Sequence, residues 1–299
     1  MNDIHCHFFS TQFFATLATQ RGRGETAAQL CQELQWEDPG TPESLAARWA
    51  QELDTAGVTR AALIASVPGD EDSVATAVAS QPRRFVGFFM LDPSRDDAVD
   101  RARRAVSDRG LRAICLFPAM HHVPLDDERV RRVLEVAAAH PGTAVFVHCG
   151  VLSVGVRKKL GLPSRFDMRL GDPLAVGRLA TMFPTVPFIV PHFGAGLLRE
   201  VLMAADLCPN IHLDTSSSNG WIRYTPGLTL HDVFRTALAI VGPSRLLFGT
   251  DSSFFPRGWQ RPVHEAQTMV VASLGLRPGD EALIFGGNFD RLFPIAAES

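Results

Sequence analysis

The sequence predicts an α/β protein folded as one (β/α)8 (TIM) barrel domain over residues 1–299. Eight short apolar segments alternate with amphipathic helical segments, which is typical of parallel strands covered by helices. No linker rich in Pro, Gly or Ser divides the chain, and its length suffices for eight β–α units. No glycine-rich phosphate loop follows a strand, which disfavours the alternative, a doubly wound open sheet.

The first strand is predicted in Asp3-Ile4-His5-Cys6-His7-Phe8. Residues 9–40 are weakly patterned and long for a connection, so we expect a lid-like excursion after strand one or, equally, a surface insertion. The next segment has clear helix signals, with Thr41 as N-cap, Pro42 at the first helical position and Gly57 as the stop.

The remaining strands and helices alternate to the end of the chain. The predicted strands span residues 60–66, 85–91, 112–117, 143–148, 186–192, 211–215 and 246–251. The predicted helices span residues 95–109, 128–140, 173–183, 197–207 and 230–241. Functional groups of such barrels lie at the carboxyl ends of the strands, so the residues that end these runs are the first candidates.

Composition excludes several classes of function. With 46% hydrophobic residues and a formal net charge of −3, the chain can bury a large core and has no basic tract for nucleic acid. No apolar run is long enough to span a membrane and no basic, apolar leader is visible, so we expect no membrane partner and no secretion. Five scattered cysteines indicate free thiols and a cytoplasmic location.

Histidine or aspartate ends four of the predicted strands. His5 and His7 alternate along the first strand and therefore point to the same face. His148 ends the fifth strand, His192 the sixth and Asp251 the eighth. A single histidine there is commonly a core or capping group, but five such residues at one rim indicate a metal site. Imidazoles with a carboxylate favour zinc, and manganese, cobalt and iron are alternatives.

This pattern resembles the amidohydrolase superfamily of metal-dependent barrel enzymes, which has His-x-His on strand one, His on strands five and six, and Asp on strand eight. The resemblance covers nearly the whole chain. It includes Pro191-His192-Phe193-Gly194-Ala195-Gly196 and Ile284-Phe285-Gly286-Gly287-Asn288-Phe289-Asp290-Arg291-Leu292-Phe293. These segments are most similar to the branch that holds aminocarboxymuconate-semialdehyde decarboxylase, related aromatic-acid decarboxylases and hydrolases.

The resemblance implies four ligands for one divalent ion with a water in an open position: His5, His7, His148 and Asp251. It also implies catalytic roles for His192, which would orient or deprotonate that water or protonate the substrate, and for Asp251. Binuclear members place a bridging lysine or glutamate at the end of strand four. Here that strand reads Ala113-Ile114-Cys115-Leu116-Phe117-Pro118, so we expect a single metal. The absence of a glutamate on this strand also argues against a TatD-like nuclease, which begins with His-x-His but places a glutamate there.

Weaker candidates for substrate contact lie in the loops after strands four, seven and eight: His121, His122, Arg223, Tyr224, Arg257 and Trp259. For the two histidines a solvated turn is the favoured alternative. An arginine beside aromatic side chains would suit a carboxylate on an apolar ring or chain. Asp214, at the end of strand seven, either supports the metal ligands or caps a turn. The basic run Arg157-Lys158-Lys159 is expected to be a solvated helix face.

The sequence leaves three candidate functions. The favoured one is a hydrolase in which a metal-activated water attacks an amide, ester, lactone or C–C bond of a small carboxylated or carbonyl-containing substrate. The alternative is a non-oxidative, metal-dependent decarboxylase of an aromatic or enoic acid, which would use the same ligands. A catalytically silent barrel is disfavoured because all five motif positions are filled. The chain is short for the decarboxylases, which favours the hydrolase, and the resembled branch suggests a homodimer.

Overall fold

The computed structural model describes residues 1–216 and 218–295 and contains an eight-stranded parallel sheet in which each strand pairs with the next along the chain. The strands are β1 (Asn2–Phe8), β2 (Arg60–Ala65), β3 (Phe85–Leu91), β4 (Ala113–Leu116), β5 (Ala144–Val147), β6 (Phe188–Val190), β7 (Ile211–Asp214) and β8 (Leu246–Leu247). The predicted (β/α)8 barrel is confirmed.

Helices occupy the connections between the strands. In the first half of the chain they are α1 (Thr11–Arg21), α2 (Ala27–Leu34), α3 (Pro42–Ala56), α4 (Glu71–Ser80), α5 (Ala98–Ser107), α6 (Pro118–His121) and α7 (Glu128–Ala139). In the second half they are α8 (Gly155–Lys159), α9 (Pro173–Met182), α10 (Leu198–Leu207), α11 (Ser218–Trp221), α12 (Leu230–Val241), α13 (Arg261–Ser273), α14 (Asp280–Ala282) and α15 (Asn288–Leu292).

The barrel closes between its first strand and the segment that follows β8. The eighth strand was predicted to reach residue 251, yet its regular pairing with β7 ends at Leu247. The chain then hydrogen bonds to β1 instead. The N–H of Ile4 donates to the oxygen of Phe248 at 2.9 Å, and the N–H of Asp251 donates to the oxygen of His5 at 2.9 Å. These bonds fix Asp251 directly beside the His-x-His strand.

The excursion after β1 is helical and well packed. Ser10 caps α1, accepting from the N–H of Phe13, and its hydroxyl donates to Asp70 at 2.6 Å in the loop after β2. Thr26 and Gln29 form a reciprocal capping box at the start of α2. The apolar sides of both helices share a buried cluster with the loop after β5: Phe13, Phe14, Leu17, Leu30, Leu34, Val156, Leu160 and Leu162. The segment therefore covers the carboxyl rim of the barrel.

Side chains fill the interior of the barrel. One buried cluster lines the inside of the strands and includes Phe88, Phe146 and Ile189. Phe289 of the last helix and Phe293, which directly follows it, belong to the same cluster and plug the amino-terminal end. Because this interior is packed, the barrel is not a pore, and its carboxyl rim is where functional groups of such folds lie. The five cysteines are free and buried. Among the described residues, no helix is long and apolar enough to cross a bilayer.

Candidate metal centre and its cavity

Three predicted metal ligands converge on one point at the carboxyl rim. His7 Nε2 lies 3.1 Å and His5 Nε2 lies 3.6 Å from Asp251 Oδ1. The two Nε2 atoms are 3.3 Å apart, and one ligand atom from each of the three residues lies within 4.8 Å of the others. Strand alternation brings the two histidines to this face, and the closing hydrogen bonds of the barrel bring the aspartate.

Hydrogen bonds behind the imidazoles fix which nitrogen faces the point of convergence. The fully buried Asp214 carboxylate accepts from His5 Nδ1 at 2.6 Å. The hydroxyl of Ser66 donates to the oxygen of Ile64 and therefore accepts from His7 Nδ1, at 2.7 Å. When both rings are neutral, each Nε2 carries a lone pair.

Three acceptor atoms therefore face one another, and a cation between them would stabilise this arrangement. A divalent metal ion fits, because neutral imidazole nitrogens and a carboxylate oxygen are the donors that zinc prefers. Without an ion, a second proton on His5 is the alternative. Burial lowers the pKa of His5, but the charge of Asp214 and its hydrogen bond outweigh that effect and raise the pKa overall.

The neighbouring groups favour the forms that ligate metals. Burial lowers the pKa of His7, so this ring is neutral near pH 7. Burial alone would raise the pKa of the Asp251 carboxyl, but its contact with His7 and the positive charge of His5 when that ring is doubly protonated hold it well below its usual value. Asp251 is thus an anion and His7 a neutral donor at physiological pH.

The two other predicted histidines stand beside this trio. His148 follows β5, and its ring centroid lies 5.3 Å from that of His192. Its ligand atoms lie outside the tight group formed by the trio, and within the described part of the chain nothing hydrogen bonds its buried Nδ1. Burial lowers the pKa of His148 far below the ordinary value. A buried, neutral imidazole with an unpaired nitrogen at this rim is a suitable further ligand.

His192 is held with one nitrogen turned away from the cavity. Its Nδ1 donates to the backbone oxygen of Ser216 at 2.9 Å, so Nε2 carries the lone pair. Its ring stacks on His5 with centroids 5.0 Å apart. Burial lowers the pKa of His192, and the ring is therefore neutral near pH 7 and able to accept a proton.

Backbone strain is concentrated at this rim. Asp251 and His192 have φ of 61° and 58°, and Phe193 has φ of 49°, a region that residues other than glycine rarely adopt. Pro191 directly follows β6 and starts this tight turn. Position 150, two residues after His148, must be glycine because the backbone of the loop after β6 passes close to it. A Cβ at Gly150 would lie 2.2 Å from the oxygen of Gly194. The loops after β5 and β6 are thus pressed together, which sets His148 against His192.

A cavity of about 420 Å³ lies over the trio. Four side chains form a continuous stack at its mouth: Lys159, Trp36, Phe254 and Arg257. The Lys159 ammonium lies 5.4 Å from the centre of Trp36, the rings of Trp36 and Phe254 stack at 3.7 Å, and the Arg257 guanidinium lies 4.6 Å over Phe254. Two cations therefore flank an aromatic wall. A larger groove, of about 980 Å³, opens at the opposite end of the barrel around Asn2 and Arg60.

The predicted substrate-contact residues divide into two groups. Arg257 lines the main cavity, and Arg223 and Tyr224 line an adjoining space of about 210 Å³ that also reaches His148, His192 and Asp251. The other three lie elsewhere. His121 and His122 are at the end of α6, outside the cavity wall, and the indole N–H of buried Trp259 donates to Asp3 at 2.8 Å beneath the rim.

Several residues of the site were not singled out by the sequence. Lys159 is exposed, as expected of a solvated helix face, but it also lines the cavity, while its neighbour Lys158 does not. Trp36 reaches the cavity from the excursion after β1. Ser66 and Ser216 hold imidazoles and follow the ends of β2 and β7. A polar residue just after an apolar strand is the signal that could have identified both serines.

A (β/α)8 barrel with imidazoles and a carboxylate clustered at its carboxyl rim has the architecture of an enzyme. Residues 3–295 match the sequence profile of the amidohydrolase family. The chain belongs to this family of enzymes, as the strand-end motif predicted. Members of the superfamily bind divalent metals.

Individual relatives are distant. Over 170 residues the chain is 25% identical to Protein fluG of Emericella nidulans, a match that covers 56% of this chain and 18% of that much longer protein. The fold is similar to that of a 5-carboxyvanillate decarboxylase from Novosphingobium aromaticivorans with bound manganese and 3-methoxy-4-hydroxy-5-nitrobenzoic acid (13% identity, 97% and 96% of the two chains, TM-score 0.66). It is also similar to that of a probable 2-pyrone-4,6-dicarboxylic acid hydrolase from Acinetobacter baumannii with citric acid bound (15% identity, 98% of both chains, TM-score 0.61).

Proposed function

We propose that this chain is a metal-dependent hydrolase acting on a small carboxylated substrate with an amide, ester, lactone or activated C–C bond. The observation that carries the proposal is the convergence of His5, His7 and Asp251 at the floor of a cavity. These residues would hold one divalent ion, zinc being favoured, and His148 would complete the set. When bound, the ion would polarise a substrate carbonyl and lower the pKa of a water molecule.

The residues around the ligands would handle the proton. His192 presents a neutral nitrogen to the cavity, so it can take a proton from the attacking water and later return it to the leaving group. Burial at the bottom of the cavity excludes bulk water from the reacting groups. Asp214 and Ser66 keep the two ligand imidazoles oriented and take no direct part.

The mouth of the cavity supports the choice of a carboxylated substrate. Lys159 and Arg257 place two positive charges beside the Trp36–Phe254 wall, which suits a carboxylate attached to an apolar ring or chain. Arg257 also donates to the hydroxyl of Ser253 at 2.6 Å, which holds the guanidinium near Asp251. The volume of about 420 Å³ accommodates one small organic molecule.

A non-oxidative decarboxylase is the second candidate. The stacked aromatic wall favours a planar aromatic acid, and His192 could deliver a proton to the ring carbon that loses carbon dioxide. The ligand set is the same for both reactions. The two reactions must therefore be distinguished by their products, that is, by whether water is incorporated or carbon dioxide is released.

The reaction can be identified with zinc-loaded enzyme, a panel of esters, lactones, amides and phenolic acids, and water enriched in oxygen-18. For a hydrolase we expect one oxygen-18 atom in the carboxylate product and no release of carbon dioxide. Carbon dioxide release with no heavy oxygen in the organic product would replace the hydrolase by the decarboxylase. Failure to turn over any substrate with zinc, manganese, cobalt or iron loaded would contradict both.

Replacing Lys159 by methionine should weaken binding of carboxylated substrates. Methionine keeps much of the length of the side chain but removes the charge beside Trp36. We expect KM to rise about tenfold, the cost of one charged contact, with kcat little changed. Lys158→Met is the matched control, because Lys158 neighbours Lys159 on α8 but does not line the cavity. Equal KM values for the two variants would contradict the assignment of Lys159.

A further inference from the structure

The hydroxyl of Ser216 touches three groups of the site at once. Ser216 is fully buried and lies two residues beyond Asp214 at the end of β7. Its Oγ is 2.9 Å from His5 Nδ1, 3.0 Å from His192 Nδ1 and 3.0 Å from Asp214 Oδ2. A metal-ligand histidine and the proposed proton acceptor thus share one hydroxyl.

The protons in this network can be assigned from the acceptors alone. The Asp214 carboxylate and the Ser216 backbone oxygen only accept, so His5 Nδ1 and His192 Nδ1 must both carry hydrogens. Neither nitrogen then has a lone pair to offer the hydroxyl. The Ser216 hydroxyl therefore donates to Asp214, and its own lone pairs face the two imidazole N–H groups.

The hydroxyl adds to contacts that the backbone already makes. The N–H of Ser216 donates to Asp214 Oδ1 at 2.7 Å, and its carbonyl accepts from His192. Alanine at position 216 would keep both of these backbone bonds. It would remove the hydroxyl that contacts the two imidazoles. The side chain can therefore be tested separately from the backbone turn.

We propose that Ser216 is a positioning residue for two groups, the metal ligand His5 and the proton acceptor His192. Its hydroxyl holds both rings with Nε2 toward the cavity. It thereby fixes the position of the proton acceptor relative to the metal site. The role toward His192 in catalysis rests on the proposed function. The role toward His5 rests only on metal binding.

The test is Ser216→Ala, compared with two other variants that each lose one buried hydroxyl. Ser66→Ala removes the hydroxyl that accepts from His7 Nδ1. This hydroxyl makes no hydrogen bond to His192. Thr215→Val removes a buried hydroxyl that bonds Gln267 at 2.7 Å and reaches no imidazole. Zinc affinity, measured by chelator competition, should fall about tenfold in Ser216→Ala and Ser66→Ala and stay unchanged in Thr215→Val.

Two further readouts report on His192. In nitrogen-15 spectra of labelled protein, the ring signals of His192 should shift or broaden in Ser216→Ala and stay in place in Ser66→Ala. At saturating zinc, kcat of Ser216→Ala should fall about tenfold below that of Ser66→Ala, with KM changed by less than about twofold.

Each half of the proposal can fail independently. Wild-type zinc affinity in Ser216→Ala would overturn the role toward His5, and unmoved His192 signals would overturn the role toward His192. The affinity and the spectra need no substrate, so they remain decisive if the proposed reaction is wrong. If Ser216→Ala does not fold, Ser216→Cys keeps a weak donor and acceptor at the position and should give smaller shifts in the same direction.

Discussion

His5→Ala/His7→Ala is expected to lose its metal ion. The double variant removes two of the three atoms that converge at the floor of the cavity, and Asp251 with His148 is too small a ligand set to hold a divalent ion against water. By plasma mass spectrometry we expect about one equivalent of metal in the wild type, as a single site requires, and under about a tenth in the variant. Turnover should fall by at least about 10³-fold, since the ion supplies several kcal/mol of transition-state stabilisation.

The matched control for this variant is His231→Ala. His231 lies on α12 and lines a separate surface groove with Leu230 and Met269, so its loss should leave metal content and turnover unchanged. Two equivalents in the wild type would contradict the single site predicted from strand four. A wild type that binds no zinc, manganese, cobalt or iron after reloading would contradict the proposed function itself.

The fold was predictable because its strands are buried on both faces. A strand such as β3 is fully buried and apolar throughout, and such runs stand out from the amphipathic helices between them. The trio was predictable for a related reason. Parallel strands of a barrel end at one rim, so residues that end them must meet there however far apart they lie in sequence.

The loops were harder to interpret because their directions depend on single backbone torsions. Trp259 follows Asp251 by eight residues and was expected in the cavity. The chain turns through the positive φ of Asp251 and carries the indole beneath the rim to Asp3. No periodicity in the sequence encodes such a turn. Likewise, Lys159 and Lys158 are equivalent in the sequence, and only the packing of α8 against the excursion after β1 distinguishes them.

The excursion itself shows a further limit. The two sides of α1 are not clearly divided into apolar and polar, because Thr, Gln and Ala alternate with Phe13, Phe14 and Leu17. Its burial depends on contact with the loop after β5, which is distant in sequence. A pattern within one helix cannot reveal a partner of this kind. Of the residues at the mouth of the cavity, the sequence therefore identified Arg257, while Trp36 was missed as a contact.

His192→Asn should separate proton transfer from metal binding. Asparagine suits the site for two reasons. It tolerates the left-handed backbone at φ 58° better than most residues, and its amide can still donate to the oxygen of Ser216. It has no nitrogen that accepts a proton near pH 7. We expect kcat to fall by about 10²–10⁴-fold, the usual contribution of a positioned general base.

Metal content decides how that loss is interpreted. If His192 handles the proton, the variant keeps about one equivalent of metal by plasma mass spectrometry, as a single site with its other ligands intact should. Added imidazole should then restore part of the turnover, because a small base can occupy the space that the ring leaves. If the metal is lost as in His5→Ala/His7→Ala, His192 is a ligand, and the proton must be handled by another group at the rim. Turnover within about threefold of the wild type would leave His192 with no part in the chemical step, since a threefold loss corresponds to less than about 1 kcal/mol and a general base contributes far more.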